Sequence, residues 1–337
     1  EIQRELTSYT VDITTALAFG VDVNTLERGE DELQRNIQFA FEMLGRRVLL
    51  PIPYWHWVQL PADRRLKRAL AALEVAVGEF IDQARRRLGQ HPERHREPTN
   101  FLEAMLAAPS SDGSFSDEEI LGNTLTLLLA GDDTTAHSLA WTLWYMAREP
   151  VVQERWAREA AEVLGEDPVP ADHETVGRLR YGEAVLRESM RLKAVAPNIP
   201  LESLHDTEVA GVRIPARMRV LILTRQINRG AGGPVFDPDR WLDPERAPGQ
   251  RSFLSFGTGP RFCPGRNLAM LEASCALAAI GRDFELELDE SGGPVKEFQG
   301  FVMVPRGLRV RLRERRADGG PQPVPTNITT KEEIRDG

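Results

Sequence analysis

The chain has 337 residues, 41% hydrophobic and 28% charged, a balance that excludes a disordered chain and a small disulfide-stapled scaffold. Lys and Arg total 42 against 51 Asp and Glu, so a formal net charge of -9 gives nucleic acid no reason to bind. No run approaches the ~18 consecutive apolar residues of a membrane span, and the first residues lack signal-peptide organisation, so the expected setting is cytoplasmic with no membrane partner.

Helical periodicity dominates. Apolar stripes beside charged faces predict helices over 2–19, 31–47, 63–88, 117–148, 151–164, 179–193 and 266–282. Between the second and third, Pro51, Pro53 and Pro61 bracket a loop holding Tyr54, Trp55 and Trp57, aromatics that either pack against the helices or roof an apolar pocket. Basic residues over 61–96 are interleaved with Asp63, Glu74, Glu79 and Asp82 and read as a solvated helix face. Short runs at 207–214, 219–224, 284–288 and 308–312 predict strands, mostly hairpin-like. The expected fold class is mainly α with a small antiparallel β component (α+β), one domain over 1–314, and a loose Gly-, Pro- and charge-rich tail over 315–337.

The helix at 117–148 opens with a capping box, Ser116 with Glu119, and stops at Pro150. Its flanks are apolar, yet its centre is Gly131, Asp132, Asp133, Thr134 and Thr135, poor helix formers whose acids are costly to bury. Either that centre surfaces, or it faces an internal cavity where a weakened hydrogen-bond ladder, a hydroxyl and a carboxylate hold water or pass protons.

Two cysteines occur. If 263–275 is mostly helical, Cys263 and Cys275 lie up to ~18 Å apart, against a disulfide limit of ~7 Å, so they are independent thiols. An iron–sulfur cluster needs more cysteines, and the His91/His95 pair lacks a cysteine partner for a structural zinc site. A thiol nucleophile has no specific local support but stays open. A lone thiolate on heme iron suits the setting better: the helix after Cys263 points its positive end at the sulfur, and Gly257, Gly259 and Gly265 let a flat macrocycle approach. Pro264 fits a first helical turn, Phe256 can cover the ring, and Arg261 can pair with a propionate.

The stretch "FGTGPRFCPG" resembles the cysteine-ligand signature of the cytochrome P-450 superfamily, with Phe256, Gly259, Arg261, Cys263 and Gly265 on its fixed positions. Upstream, "AGDDTT" puts Asp133 and Thr134 on that family's acid–alcohol pair, "ESMR" supplies Glu188 and Arg191, and "FDPDRW" supplies Arg240. A lone E-x-x-R is ordinary i,i+3 pairing, so the cysteine loop carries the resemblance.

The resemblance to a bacterial-type soluble member implies a cytochrome P-450-type helical fold and a heme-thiolate monooxygenase. Such an enzyme inserts one atom of O2 into a small apolar organic substrate, with electrons from a donor such as a ferredoxin or flavin reductase. It implies heme b (iron protoporphyrin IX) on Cys263, contacted by Phe256, Gly257, Arg261 and Gly265. It implies protons passed by Asp133 and Thr134, a groove widened at Gly131, and a structural network of Glu188, Arg191 and Arg240 behind the cysteine loop. Two departures stand out. No Arg lies between 194 and 204, where many relatives place a propionate partner, and His205 is the expected substitute. Relatives also carry an N-terminal portion ahead of the first helix here, so the fold is expected to be N-terminally incomplete; the alternative function is then a non-catalytic heme-binding remnant or a truncated inactive fragment.

Overall fold

The computed structural model describes residues 2–28, 32–50, 52–108, 115–230, 232–249 and 252–315. The element order is α1 (Ile2–Phe19), α2 (Thr25–Arg28), α3 (Glu32–Leu49), α4 (Pro61–Gln90), α5 (Phe101–Ala107), α6 (Asp117–Arg148), α7 (Pro150–Leu164), α8 (His173–Arg178) and α9 (Arg180–Leu192). There follow β1 (Ile199–Glu202), β2 (Thr207–Val209), β3 (Val212–Ile214), β4 (Arg219–Ile222), α10 (Thr224–Gly230), α11 (Arg266–Asp283), β5 (Phe284–Leu288), β6 (Lys296–Gln299), β7 (Met303–Arg306) and β8 (Val310–Glu314).

Helix α6 organises the rest. Ser116 Oγ accepts from the Glu119 N–H at 3.2 Å while Glu119 accepts from the Ser116 N–H at 2.8 Å, the reciprocal cap read from the sequence. Its 32 residues make ~48 Å of helix, and Pro150, which opens α7, fixes where it ends. Two apolar bodies form on its two halves. Around the first half, Phe19 (α1), Ile37 (α3), Leu73 and Val77 (α4) and Leu102 (α5) pack with Leu128. Around the second, Leu139 and Leu143 pack with Trp156 (α7), Val185 (α9), Leu277 (α11) and Leu286 (β5). The polar centre lies between the two bodies. Truncating a fully buried leucine such as Leu143 to alanine costs about 2–5 kcal/mol, so each body holds its half of α6 firmly.

The strands form antiparallel pairs, β1 with β4, β2 with β3, β5 with β8 and β6 with β7. The fold is thus mainly α with a small antiparallel β component. Strands β1, β6 and β7 were not legible: β1 carries Pro200 and is largely exposed, and every residue of β6 is exposed, so neither shows apolar alternation. The run at 219–224 is strand only to Ile222, because Thr224 turns inward to donate its hydroxyl to Ala196 O and starts α10. Arg315, expected to open the tail, is instead held: its N–H donates to Asp283 O at 2.8 Å and its side chain reaches Phe284 O and Glu154 at 3.1 Å each. Residues 316–337 lie outside the described residues. Among the described residues no helix is long and apolar enough to cross a membrane.

Candidate active site

The cysteine loop folds back on itself just ahead of α11. The Cys263 N–H donates to Phe256 O at 2.9 Å, and Gly257 and Gly259 take φ of +71° and +65°, a backbone only glycine adopts without strain. This closure turns the half-buried Cys263 side chain toward the start of α11, with its sulfur beside the backbone of Gly265. Burial pushes the thiol up, and the Gly265 and Arg266 N–H groups offset only part of that rise. Cys275 is a second free thiol, so the expectation of independent cysteines agrees with the structure.

Behind the loop lies a saturated charge network. Glu188 and Arg191, both 0% exposed, are joined by two bonds of 2.8 Å. The remaining Arg191 donors reach Asn228 O at 3.4 Å, Gly233 O at 2.8 Å and Val235 O at 3.0 Å, which uses all five guanidinium hydrogens. Glu188 also accepts from the Asp237 N–H at 3.0 Å and the Trp241 indole at 2.9 Å, with Arg240 3.6 Å away. Sequence reasoning missed the residue that ties this network to the cysteine loop. Asn228 Oδ1 accepts from the Leu254 N–H at 2.7 Å, its amide donates to Ser255 Oγ at 3.1 Å, and Ser255 donates to Met190 O at 3.2 Å. An asparagine in α10 gives no sequence signal for a partner in a loop some twenty-five residues on.

At the centre of α6 the helix runs through without a break, contrary to the weakened ladder expected from its composition. Side chains bond back onto the preceding turn instead: Thr134 Oγ donates to Ala130 O at 2.8 Å, Ser138 Oγ to Thr134 O at 2.8 Å, and His137 Nδ1 lies 2.6 Å from Asp133 O. Gly131 has a packing reason. A Cβ there would sit 3.1 Å from the Thr14 side chain, so glycine lets α1 cross close. Asp133 carries no side-chain hydrogen bond among the described residues and lines a cavity of about 420 Å³ with His137, Phe41 and Phe301. Loss of water pushes its carboxyl up, opposed by the neighbouring His137.

The structure therefore brings Phe256, Gly257, Cys263 and Gly265 into one loop, and Glu188, Arg191 and Arg240 into the network behind it. Arg261 sits on that loop with its side chain exposed. His205 is exposed between β1 and β2 and makes no hydrogen bond or ion pair among the described residues. Trp57 is exposed and Trp55 lies under Arg47, 4.9 Å from its guanidinium, so these aromatics pack on the surface near α3 and do not line the Asp133 cavity.

Residues 1–312 match the family described as Cytochrome P450. The cytochrome P450 monooxygenase sphH of Aspergillus fumigatus is 28% identical over 318 residues, covering 88% of this chain and 58% of that protein. The cyclooctatin synthase of Streptomyces melanosporofaciens is 33% identical over 289 residues, covering 83% of this chain and 60% of that protein. The crystal structure of the cytochrome P450DA heme domain matches with a TM-score of 0.80 at 28% identity, covering 94% of this chain and 68% of that one. The chain thus spans about three fifths of the length of these two curated relatives. With nearly its whole length matched and its helices arranged as in a solved heme domain, the chain belongs to the cytochrome P450 family.

Proposed function

We propose that the chain carries the heme-thiolate and proton-supplying parts of a monooxygenase that inserts one oxygen atom from O2 into a small apolar organic substrate, using electrons from a ferredoxin- or flavin-type donor. One observation carries the reading: Cys263 sits beside Gly265 at the mouth of an 18-residue helix, on a loop closed by its own N–H on Phe256 O and fixed through Asn228 to the Glu188–Arg191 pair. The positive helix end and the nearby backbone N–H groups oppose the rise that burial causes, and so favour a charged sulfur of the kind that suits an iron ligand. The residues present fit heme b: Cys263 would hold the iron, Phe256, Gly257 and Gly265 would flank the ring, and the exposed Arg261 is free to meet a propionate. His205, exposed and without a hydrogen bond or ion pair among the described residues, would stand where relatives place the further propionate partner. Heme, when bound, supplies dioxygen binding and its reductive cleavage, which a thiolate ligand favours.

The residues of α6 supply the protons. Burial keeps the Asp133 carboxyl in its acid form to higher pH than an exposed aspartate, so it has a proton to give. The Thr134 hydroxyl donates to Ala130 O, which leaves its lone pairs to receive a water and hold it in line with Asp133. Glu188 and Arg191 have their hydrogen-bonding groups engaged and serve, with Arg240 3.6 Å from Glu188, as the frame.

The test is a visible spectrum of the purified chain loaded with heme, reduced and exposed to carbon monoxide. A strongly red-shifted Soret band that disappears in Cys263→Ala is expected. A band typical of a neutral ligand, or one unchanged by the substitution, overturns the assignment of the sulfur.

A further inference from the structure

We propose that His137 is a proton relay that reloads Asp133 from solvent in the cavity beside α6; the proposal rests on the reading of Asp133 and Thr134 given above. His137 lies one turn beyond Asp133, 8% exposed, with Nδ1 2.6 Å from the Asp133 backbone oxygen. A carbonyl oxygen only accepts, so Nδ1 carries the hydrogen, and in the neutral ring Nε2 is then the basic nitrogen. No protein group bonds Nε2 among the described residues, and His137 is one of the residues lining the adjacent cavity. That cavity, of about 420 Å³, is bounded by α1, α3, α6 and the β6–β7 ribbon, and Asp133 also lines it.

The surroundings favour transfer along one line. From α1 the cavity receives Arg4, and from α3 it receives Glu42, which is paired with Arg46 at 2.6 Å; the ribbon contributes Phe298 and Phe301 and no charge. On its own helix the imidazole has Asp133, whose carboxyl feels its charge. The ring therefore stands between a carboxyl without a hydrogen-bond partner among the described residues and the open cavity that both line. In the step, a proton from cavity water binds Nε2 and gives an imidazolium whose Nδ1–H stays on Asp133 O. The Nε2 proton then passes to the Asp133 carboxylate, directly or through one water, and the ring returns to its neutral form. One proton enters, one is delivered, and no electron moves.

A purely structural His137 would only close a back-bond like those of Ser138 and Thr142, so the test reads properties that such a bond does not move. Nitrogen NMR of the purified chain with labelled histidine, with His137 assigned by sequential backbone connectivities, is expected to find the Nδ1–H form; an Nε2–H form overturns the proposal whether or not any variant folds. Infrared titration of the Asp133 carboxyl is expected to move in His137→Phe, because the imidazole that exchanges protons with it and opposes its rise is gone; an unmoved titration counts against the pairing. In the heme-loaded chain driven by a ferredoxin and its reductase, His137→Gln is expected to slow oxygen consumption roughly tenfold, with a larger solvent deuterium isotope effect and an altered pH profile. If Thr134→Ala leaves peroxide release unchanged, the reading of the acid–alcohol pair fails. If Thr134→Ala raises peroxide release while His137→Gln keeps the wild-type isotope effect and pH profile, the relay alone fails.

Discussion

Two glutamates with almost no exposed surface meet opposite fates. Glu103 on α5 is 0% exposed, yet its carboxylate accepts from Arg87 and Arg94 at 3.1 Å and from the Thr99 N–H and hydroxyl at 3.1 and 2.9 Å. Burial works to raise it, and the Thr99 and Arg87 hydrogen bonds overrule burial and hold it at about 2. Glu272 on α11 is 3% exposed with Oε1 unpartnered among the described residues, and burial alone pushes it up to about 9. Burial does not decide the charge of a carboxyl; its partners do. The same division runs through the site. Glu188 belongs with Glu103, saturated and fixed, whereas Asp133 belongs with Glu272, raised and unbonded. A saturated acid makes a frame, and only an unbonded one on accessible space has a proton to exchange.

The saturated class breaks hardest when one member is removed. Glu188→Ala strands the Arg191 guanidinium at 0% exposure, and unfolding in urea is expected to show a loss of about 3–5 kcal/mol. A loss below about 1 kcal/mol would mean that Arg191 finds other counter-charges. Glu103→Gln comes next, at about 2–3 kcal/mol at pH 7, because Arg87 and Arg94 are partly wetted and lose less. Its pH dependence has a definite sign. A folded value depressed from 4.5 to about 2 contributes stability that is present above 4.5 and lost as pH falls toward 2. The gap between wild type and Glu103→Gln should therefore close over that window, and a gap that persists at pH 2 would contradict the assignment.

What was legible in the sequence follows the same line between local and long-range chemistry. The Ser116–Glu119 cap and the stop at Pro150 depend on a few neighbouring residues, and α6 runs over the predicted 117–148. The cysteine loop was legible for that reason too, since its turn is written in Gly257 and Gly259. Asn228 was not, because its partners Leu254 and Ser255 meet it only after α9, α10 and the loop have docked. Composition also misjudged the centre of α6, which stays helical while Thr134, His137 and Ser138 bond back onto the preceding turn.

The unbonded class predicts a gain. Glu272→Met replaces a carboxyl without a partner by an apolar chain of similar size, and thermal unfolding is expected to show stabilisation of about 1–2 kcal/mol at pH 8. A folded value raised from 4.5 to about 9 means that wild-type stability is fully present below 4.5 and declines as pH rises through 9. The advantage of the variant should therefore shrink toward pH 5. An advantage independent of pH would show that packing, not ionisation, had changed.

The smallest effect tests whether the glycine at the centre of α6 answers to packing or to helix weakness. A methyl group at Gly131 would gain roughly 0.8–1 kcal/mol of helix propensity. It would also lie 3.1 Å from both Cγ2 and Oγ1 of Thr14, closer than the neighbour tolerates without shifting, and Thr14 Oγ1 already lacks a hydrogen-bond partner among the described residues. The clash and the propensity nearly cancel, so Gly131→Ala alone should destabilise by about 0.5 kcal/mol or less. With Thr14→Ala the contacting atoms are gone, and the same Gly131→Ala change should then stabilise by about 0.5–1 kcal/mol. A double-mutant cycle in urea reads the difference directly. Additive effects would mean that α1 yields freely at this crossing, and that the glycine is there for the cavity side of the helix rather than for the approach of Thr14.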